Sequence, residues 1–162
     1  MPEIIIREYT PEDQAGILKC IFELQTDEHE RSPHYWAKPT ETLARNYLEH
    51  TLKTIGGRDD VKIFVGLIGD EFAGWIVVCV ATEDGPDVVL KKYGYVSEAA
   101  VLKEFHGRGV GESLMHQAEE FVKSMGLDWM ELNVSEGNKA LGFYSKLGYK
   151  VKSLRMEKKL NL

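Results

Sequence analysis

Cysteine is scarce in this chain: two in 162 residues, Cys20 and Cys79, far apart and without a C-x-x-C pair. That excludes a disulfide framework and the Cys-rich zinc modules. Both cysteines have apolar neighbours ("ILKCIFEL", "WIVVCVA"), the setting of core thiols in a reducing compartment, so the expected location is cytoplasmic. No run of 18 apolar residues exists, so no membrane span is predicted. "MPEIIIREY" lacks the basic and long apolar regions of a secretory signal. Cations are outnumbered, with 20 Lys and Arg against 26 Asp and Glu, a net charge of −6. This argues against a nucleic-acid backbone as the main partner. Repeats, low-complexity tracts and linkers are also missing, and 43% apolar with 28% charged residues is ordinary globular composition. One domain over 1–162 is expected.

"EIIIREY" (3–9) reads as a first strand. Thr10, Pro11 and Asp13 open a helix with a capping-box spacing, and Ile17, Leu18, Ile21 and Leu24 share its buried face. "TDEHERSPHYWAKP" is polar and broken by two prolines, so a loop is predicted. Thr40 caps a second helix with the stripe Ala44, Tyr47, Leu48, Leu52 and Ile55, ended by Gly56-Gly57. Residues 61–81 read as two strands turning at Gly69-Asp70, and 93–101 as another. A helix carrying Val110, Leu114, Ala118, Phe121, Val122 and Met125 stops at Gly126. A strand (128–134), a short helix (138–148) and a final strand or hairpin from Tyr149 complete a mixed α/β order.

The stretch "VLKEFHGRGVGESLM" places Gly107, Gly109 and Gly111 at alternate positions before a helix. Glycine is costly there unless the bare backbone is needed. The phosphate-loop motif G-x-x-x-x-G-K-[ST] does not occur. A dinucleotide fingerprint fits poorly, because Glu112 stands where its third glycine belongs and too little chain follows. An anion site at a helix N-terminus remains, with free N–H groups, the helix dipole and the Arg108 cation suited to a pyrophosphate.

His106-Gly107-Arg108-Gly109-Val110-Gly111, with Val101 ending the strand before it and Leu114 and Met115 in the helix after it, resembles the acyl-CoA signature of the GNAT superfamily of N-acetyltransferases. "ELNVSEGNKALGFYSKLGYKV" resembles the later block of that family through Val134, Asn138, Ala140, Tyr144, Gly148 and Tyr149. Three departures stand out: His106 where Gln or Arg is usual, Lys103 where proline is common, and an Asn138–Tyr144 spacing one residue short. Counted back from Tyr144, the asparagine position falls on Gly137.

The resemblance implies a mostly antiparallel, twisted mixed sheet flanked by about four helices and splayed between its fourth and fifth strands. It implies acetyl transfer from acetyl-CoA to an amine, with no metal. Ala99, Val101, His106, Gly107, Arg108, Gly109, Val110, Gly111, Glu112, Asn138 and Tyr144 would then bind CoA. Backbone N–H groups near Ala99 to Val101 would polarise the thioester. Tyr144 is the implied general acid, or else a buried core tyrosine. Glu98 is either the general base or an outward-facing strand residue, a choice that depends on whether the strand carries a bulge.

The partner implied is a small amine or a peptide, not a nucleic acid or a membrane, and homodimers are frequent in families like this. In such a fold the segment between the first two helices lines the acceptor pocket. Here it holds Asp27, Glu28, His29, Glu30, His34, Tyr35 and Trp36, which suit a cationic amine as well as a plain solvated loop. A non-catalytic acyl-CoA-binding or regulatory module on the same fold is the alternative.

Overall fold

The computed structural model describes residues 2–161. Five strands form one sheet in sequence order: β1 (Ile4–Glu8), β2 (Val61–Ile68), β3 (Glu71–Thr82), β4 (Lys92–Val101) and β5 (Met130–Leu132). The first three junctions are antiparallel and β4–β5 is parallel. The helices are α1 (Gln14–Arg31), α2 (Glu41–Ile55), α3 (Val110–Ser124) and α4 (Ala140–Lys146). Gly69-Asp70 joins β2 to β3, as the two-residue turn predicts.

Local chemistry starts each helix. The Thr10–Asp13 capping box closes a short 3₁₀ turn that leads into α1. Thr40 Oγ1 accepts from the Leu43 N–H, 3.1 Å, at the start of α2. α3 packs on one face of the sheet, and close approach is achieved by glycine. A Cβ on Gly66 would meet Val110 at 2.8 Å, and one on Gly94 would meet Val122 at 2.3 Å. α1 and α2 cover the other face, with Ile17, Cys20, Ile21, Ala44 and Leu48 buried. Burial pushes the Cys20 thiol up to about 12, so it is an inert core group.

Two expectations fail. α1 continues through the polar "TDEHER" to Arg31, so the loop is confined to residues 32–40. Glu28, Glu30 and Arg31 are good helix formers, no Gly or Pro interrupts the run, and Pro33 stops the helix only after it. The final strand is absent: residues 149–161 join no sheet, and beyond half-buried Tyr149 they are exposed, including Leu154 and Met156. β5, three residues long, offers too short an edge to template a partner.

Candidate active site

The glycine-rich stretch forms the turn between β4 and α3. Gly107 (φ 75°) and Gly109 (φ 87°) both occupy the left-handed region, and Gly109 is the N-cap of α3. A Cβ on Gly107 would meet nothing within 4 Å, so this backbone lies open. Gly111 differs. It is inside the helix, and a Cβ there would stand 3.3 Å from the Phe143 ring of α4. Its missing side chain admits Phe143. The first-turn N–H groups of Val110, Gly111 and Glu112 have no intrahelical acceptor. The Arg108 guanidinium lies over the Phe105 ring, 5.4 Å from its centroid. An open left-handed turn, free amides and a cation fit a CoA pyrophosphate.

His106 takes a structural position in this turn. Its Nε2–H donates to the Val101 carbonyl at 2.8 Å, tying the loop to the end of β4. The imidazole thus supplies the side-chain donor that Gln or Arg would bring.

β4 parts from β5 after Val96. Their pairing runs only from Gly94–Met130 to Val96–Leu132, so the second half of β4 has no neighbour on that side. Leu102 N–H donates to Ala73 O on β3, 2.8 Å, so by alternation the N–H groups of Ala99 and Val101 point to the open side. Two unpaired donors at a strand edge suit a developing oxyanion.

The register of β4 decides where Glu98 faces. Val78 opposes Val96, but Val77 opposes Glu98, so Ser97 is an extra, unopposed residue. This β-bulge reverses the parity of everything after it. Without it Glu98 would share the α3 face with Val96. With it, Glu98 turns to the α1/α2 face, where the Tyr47 hydroxyl of α2 donates to its Oε1. Tyr47, His50, Thr51, Val77, Ser97 and Glu98 line a cleft of about 180 Å³. Burial raises the Glu98 carboxyl to about 7; the Tyr47 hydrogen bond pulls it down, and the nearby Glu28 carboxylate pushes it further up. A carboxyl half-ionised near neutrality is suited to proton abstraction.

Tyr144, on α4, packs edge-on against Phe143 and Tyr149, with centroids 5.2 and 6.0 Å away, and burial raises its phenol above the usual tyrosine value. Asn138 Oδ1 accepts from the Ala140 N–H at 2.9 Å, starting α4, while Gly137 takes a left-handed φ of 77°. Asn138 thus makes a side-chain turn immediately before α4, whose N-cap is Lys139. His29 Nδ1 lies 2.8 Å from Trp36 O and His34 Nε2 3.2 Å from Glu157, so the two are committed to different partners. Among the described residues no three His, Cys, Asp or Glu side chains converge as a metal-binding group, and no helix is long and apolar enough to cross a membrane.

Tyr47 and His50 were not legible as site residues. Tyr47 falls on the apolar stripe of α2 and reads as core, yet it is 38% exposed with its hydroxyl on Glu98. The available signal was the phenol itself, which needs a polar partner wherever the ring is buried.

The model of the acetyltransferase (GNAT) family matches residues 18–149. The chain belongs to this family. An uncharacterized N-acetyltransferase of Methanocaldococcus jannaschii is 29% identical over 161 residues, covering 96% of this chain and 66% of that protein. N-alpha-acetyltransferase 30 of Schizosaccharomyces pombe is 28% identical over 87 residues, 53% of this chain and 55% of that one. This chain thus spans just under two thirds of the first relative's length. Among solved structures, a mutant of a Bacillus halodurans protein superposes with a TM-score of 0.83 at 19% identity, over 96% of this chain and 99% of the other. The glucosamine-6-phosphate N-acetyltransferase of Arabidopsis thaliana superposes with a TM-score of 0.66 at 21% identity, over 98% and 99%. These two likenesses concern the fold alone. The GNAT fold of this chain is a five-stranded mixed sheet, open between β4 and β5.

Proposed function

We propose that this GNAT protein transfers the acetyl group of acetyl-CoA to an amine by direct attack in a ternary complex. The observation that carries the reading is the bulge at Ser97, which turns Glu98 into the cleft and leaves the β4 amides beyond it unpaired. Family membership and the N-acetyltransferase names of the relatives support the same reaction.

The turn at Gly107–Gly109 and the first amides of α3 hold the pyrophosphate, with Arg108 adding a charge-assisted contact. The Ala99 and Val101 N–H groups face the thioester oxygen and stabilise the negative charge that builds on it. Glu98, directly or through one water, removes a proton from the ammonium, whose own pKa is about 10.4 in a lysine-like amine. The C–N bond then forms as the C–S bond breaks. Tyr144 gives its proton to the departing thiolate, and its phenolate takes the second amine proton as the amide forms, while the first stays on Glu98 until it passes to solvent. Asn138 orients the start of α4 and so the Tyr144 ring.

Thiol release from acetyl-CoA across a panel of amines, beside direct measurement of CoA binding, tests this. The expected outcome is release with at least one amine and a loss of about 10²–10⁴ in kcat in Glu98→Gln with CoA affinity kept. Tyr144→Phe should lower kcat with little change in stability. CoA binding without turnover of any amine would instead make the chain an acyl-CoA-binding module.

A further inference from the structure

The short turn between β4 and the glycine stretch is gripped from outside by α1. Lys103–Phe105 form one 3₁₀ turn between Val101 and Gly107. Leu102 and Phe105 are buried and fix it to the core, whereas Lys103 and Glu104 face outward. Lys19, Glu23 and Asp27, at four-residue spacing along one face of α1, meet them there. Lys19 Nζ lies 3.1 Å from Glu104 Oε1, and Lys103 Nζ lies 2.9 Å from Asp27 Oδ1. Glu23 Oε2 accepts from the Lys103 backbone N–H at 3.1 Å, a donor that the start of the turn leaves without an internal partner. The same helix reaches β4 itself, where Cys20 Sγ lies 3.8 Å from the Ala100 carbonyl oxygen.

Stiffness is what this turn requires. It separates the two halves of the proposed donor site: the Ala99 and Val101 amides on one side, Gly107–Gly109 and the first amides of α3 on the other. Acetyl-CoA must reach both at once, so residues 102–106 set the spacing. The glycines add no stiffness of their own. His106 fastens the far end of the turn to Val101 O, and α1 fastens the near end.

We propose that Lys103 is a positioning residue: with Glu23 and Asp27 it clamps the 103–105 turn to α1, preorganising the site for CoA and lowering the ordering cost of binding. The proposal rests on the acetyl-CoA reading above. The other role open to a lysine here is direct attraction of a phosphate, and the geometry opposes it. The ammonium is taken by Asp27, whose hydrogen bond, with Glu23 and Glu30 adding through space, holds it above the usual lysine value.

Charge and rigidity predict opposite signs. CoA binding, with no amine present, is measured calorimetrically in the wild type and in the Glu23→Ala/Asp27→Ala double variant. Alanine favours helix at both positions, so α1 itself is not weakened. Removing two anions should tighten binding of an anionic ligand by charge alone, whereas loss of the clamp should raise the Kd about three- to tenfold. Leu102, at φ −56° and ψ 138°, suits a following proline, and proline at the first position of the turn fixes φ without the Glu23 contact. Adding Lys103→Pro to the double variant should bring the Kd back to within about twofold of the wild type, although it removes a cation. Amide exchange over residues 102–112 in CoA-free protein should quicken in the double variant and slow again with the proline. Unchanged or tighter CoA binding in the double variant, or no recovery with proline, overturns the proposal. If the wild type binds no CoA, the donor reading fails and exchange alone decides the clamp: faster exchange in the double variant sustains it, and unchanged exchange overturns it.

Discussion

The Tyr47 hydroxyl on α2 donates a hydrogen bond to Oε1 of Glu98 on β4, joining a helix to the first paired strand residue beyond a bulge. The contact stabilises the carboxylate and holds Glu98 below the value that burial alone would set. Tyr47→Phe removes it while keeping the ring. The Glu98 pKa then rises above about 7, and the ascending limb of kcat/KM moves to higher pH. Activity should fall about fivefold at pH 7 and less than twofold at pH 9. A pH–rate profile over that range checks it, and superimposable profiles would show that Tyr47 does not tune the base.

Glu98→Gln should expose the cost of the ionised carboxyl. The folded-state pKa, about 7, lies above the ordinary glutamate value of 4.5. The associated stability is therefore present at low pH and lost as pH rises through 7. Glutamine carries no charge to desolvate and still accepts from Tyr47. The variant should match the wild type near pH 4.5 and exceed it by about 1–2 kcal/mol at pH 8. Chemical denaturation at the two pH values reads the difference directly.

What the sequence disclosed and what it hid follow one physical divide. The Thr10–Asp13 box, the Thr40 cap and the Gly69-Asp70 turn are local devices whose partners lie within a few residues, and all three stand where the pattern puts them. The glycine turn before α3 was readable for the same reason. The facing of Glu98 was not, because no glycine or proline in "YVSEAAV" marks the bulge; register comes from β3, across the sheet. Tyr47 resembled core because its partner lies 51 residues away. The α1 extension was masked by its polar residues, which a surface loop carries as readily as the exposed part of a helix. The run from Tyr149 suggested a final strand or hairpin, but pairing also needs an edge, and β5 provides three residues.

Two glycines allow a controlled test of the proposed CoA turn. Gly107 and Gly57 share φ 75°, and a Cβ on either would meet nothing within 4 Å. Alanine at either site incurs the same left-handed strain, roughly 1–2 kcal/mol. Only Gly107 lies in the turn before α3; Gly57 follows α2. Gly107→Ala should weaken CoA binding tenfold or more, whereas Gly57→Ala should leave it within twofold at a similar loss of Tm. Equal effects on CoA affinity would remove Gly107 from the binding site.

Asp13 should control the edge strand from which part of this turn is supported. Its carboxylate is buried, receives Arg7 Nη1 and Nη2 at 2.8 and 2.9 Å, and accepts from the Thr10 N–H at 2.8 Å. The Arg7 hydrogen bond, before all else, holds it below the usual carboxylate range. The resulting stability is present above about pH 4 and lost as pH falls through the lowered folded-state value, opposite in sign to Glu98. Arg7 is 38% exposed, so solvent screens part of the pair. Asp13→Asn should cost about 2–3 kcal/mol at pH 7, with the gap to wild type closing in acid. Arg7 belongs to β1, and Ile4 of that strand packs 3.4 Å from the Cβ position of Gly109. Loosening β1 should therefore also raise the Kd for CoA severalfold, and an unchanged Kd in a destabilised Asp13→Asn would show that the turn keeps its shape without β1.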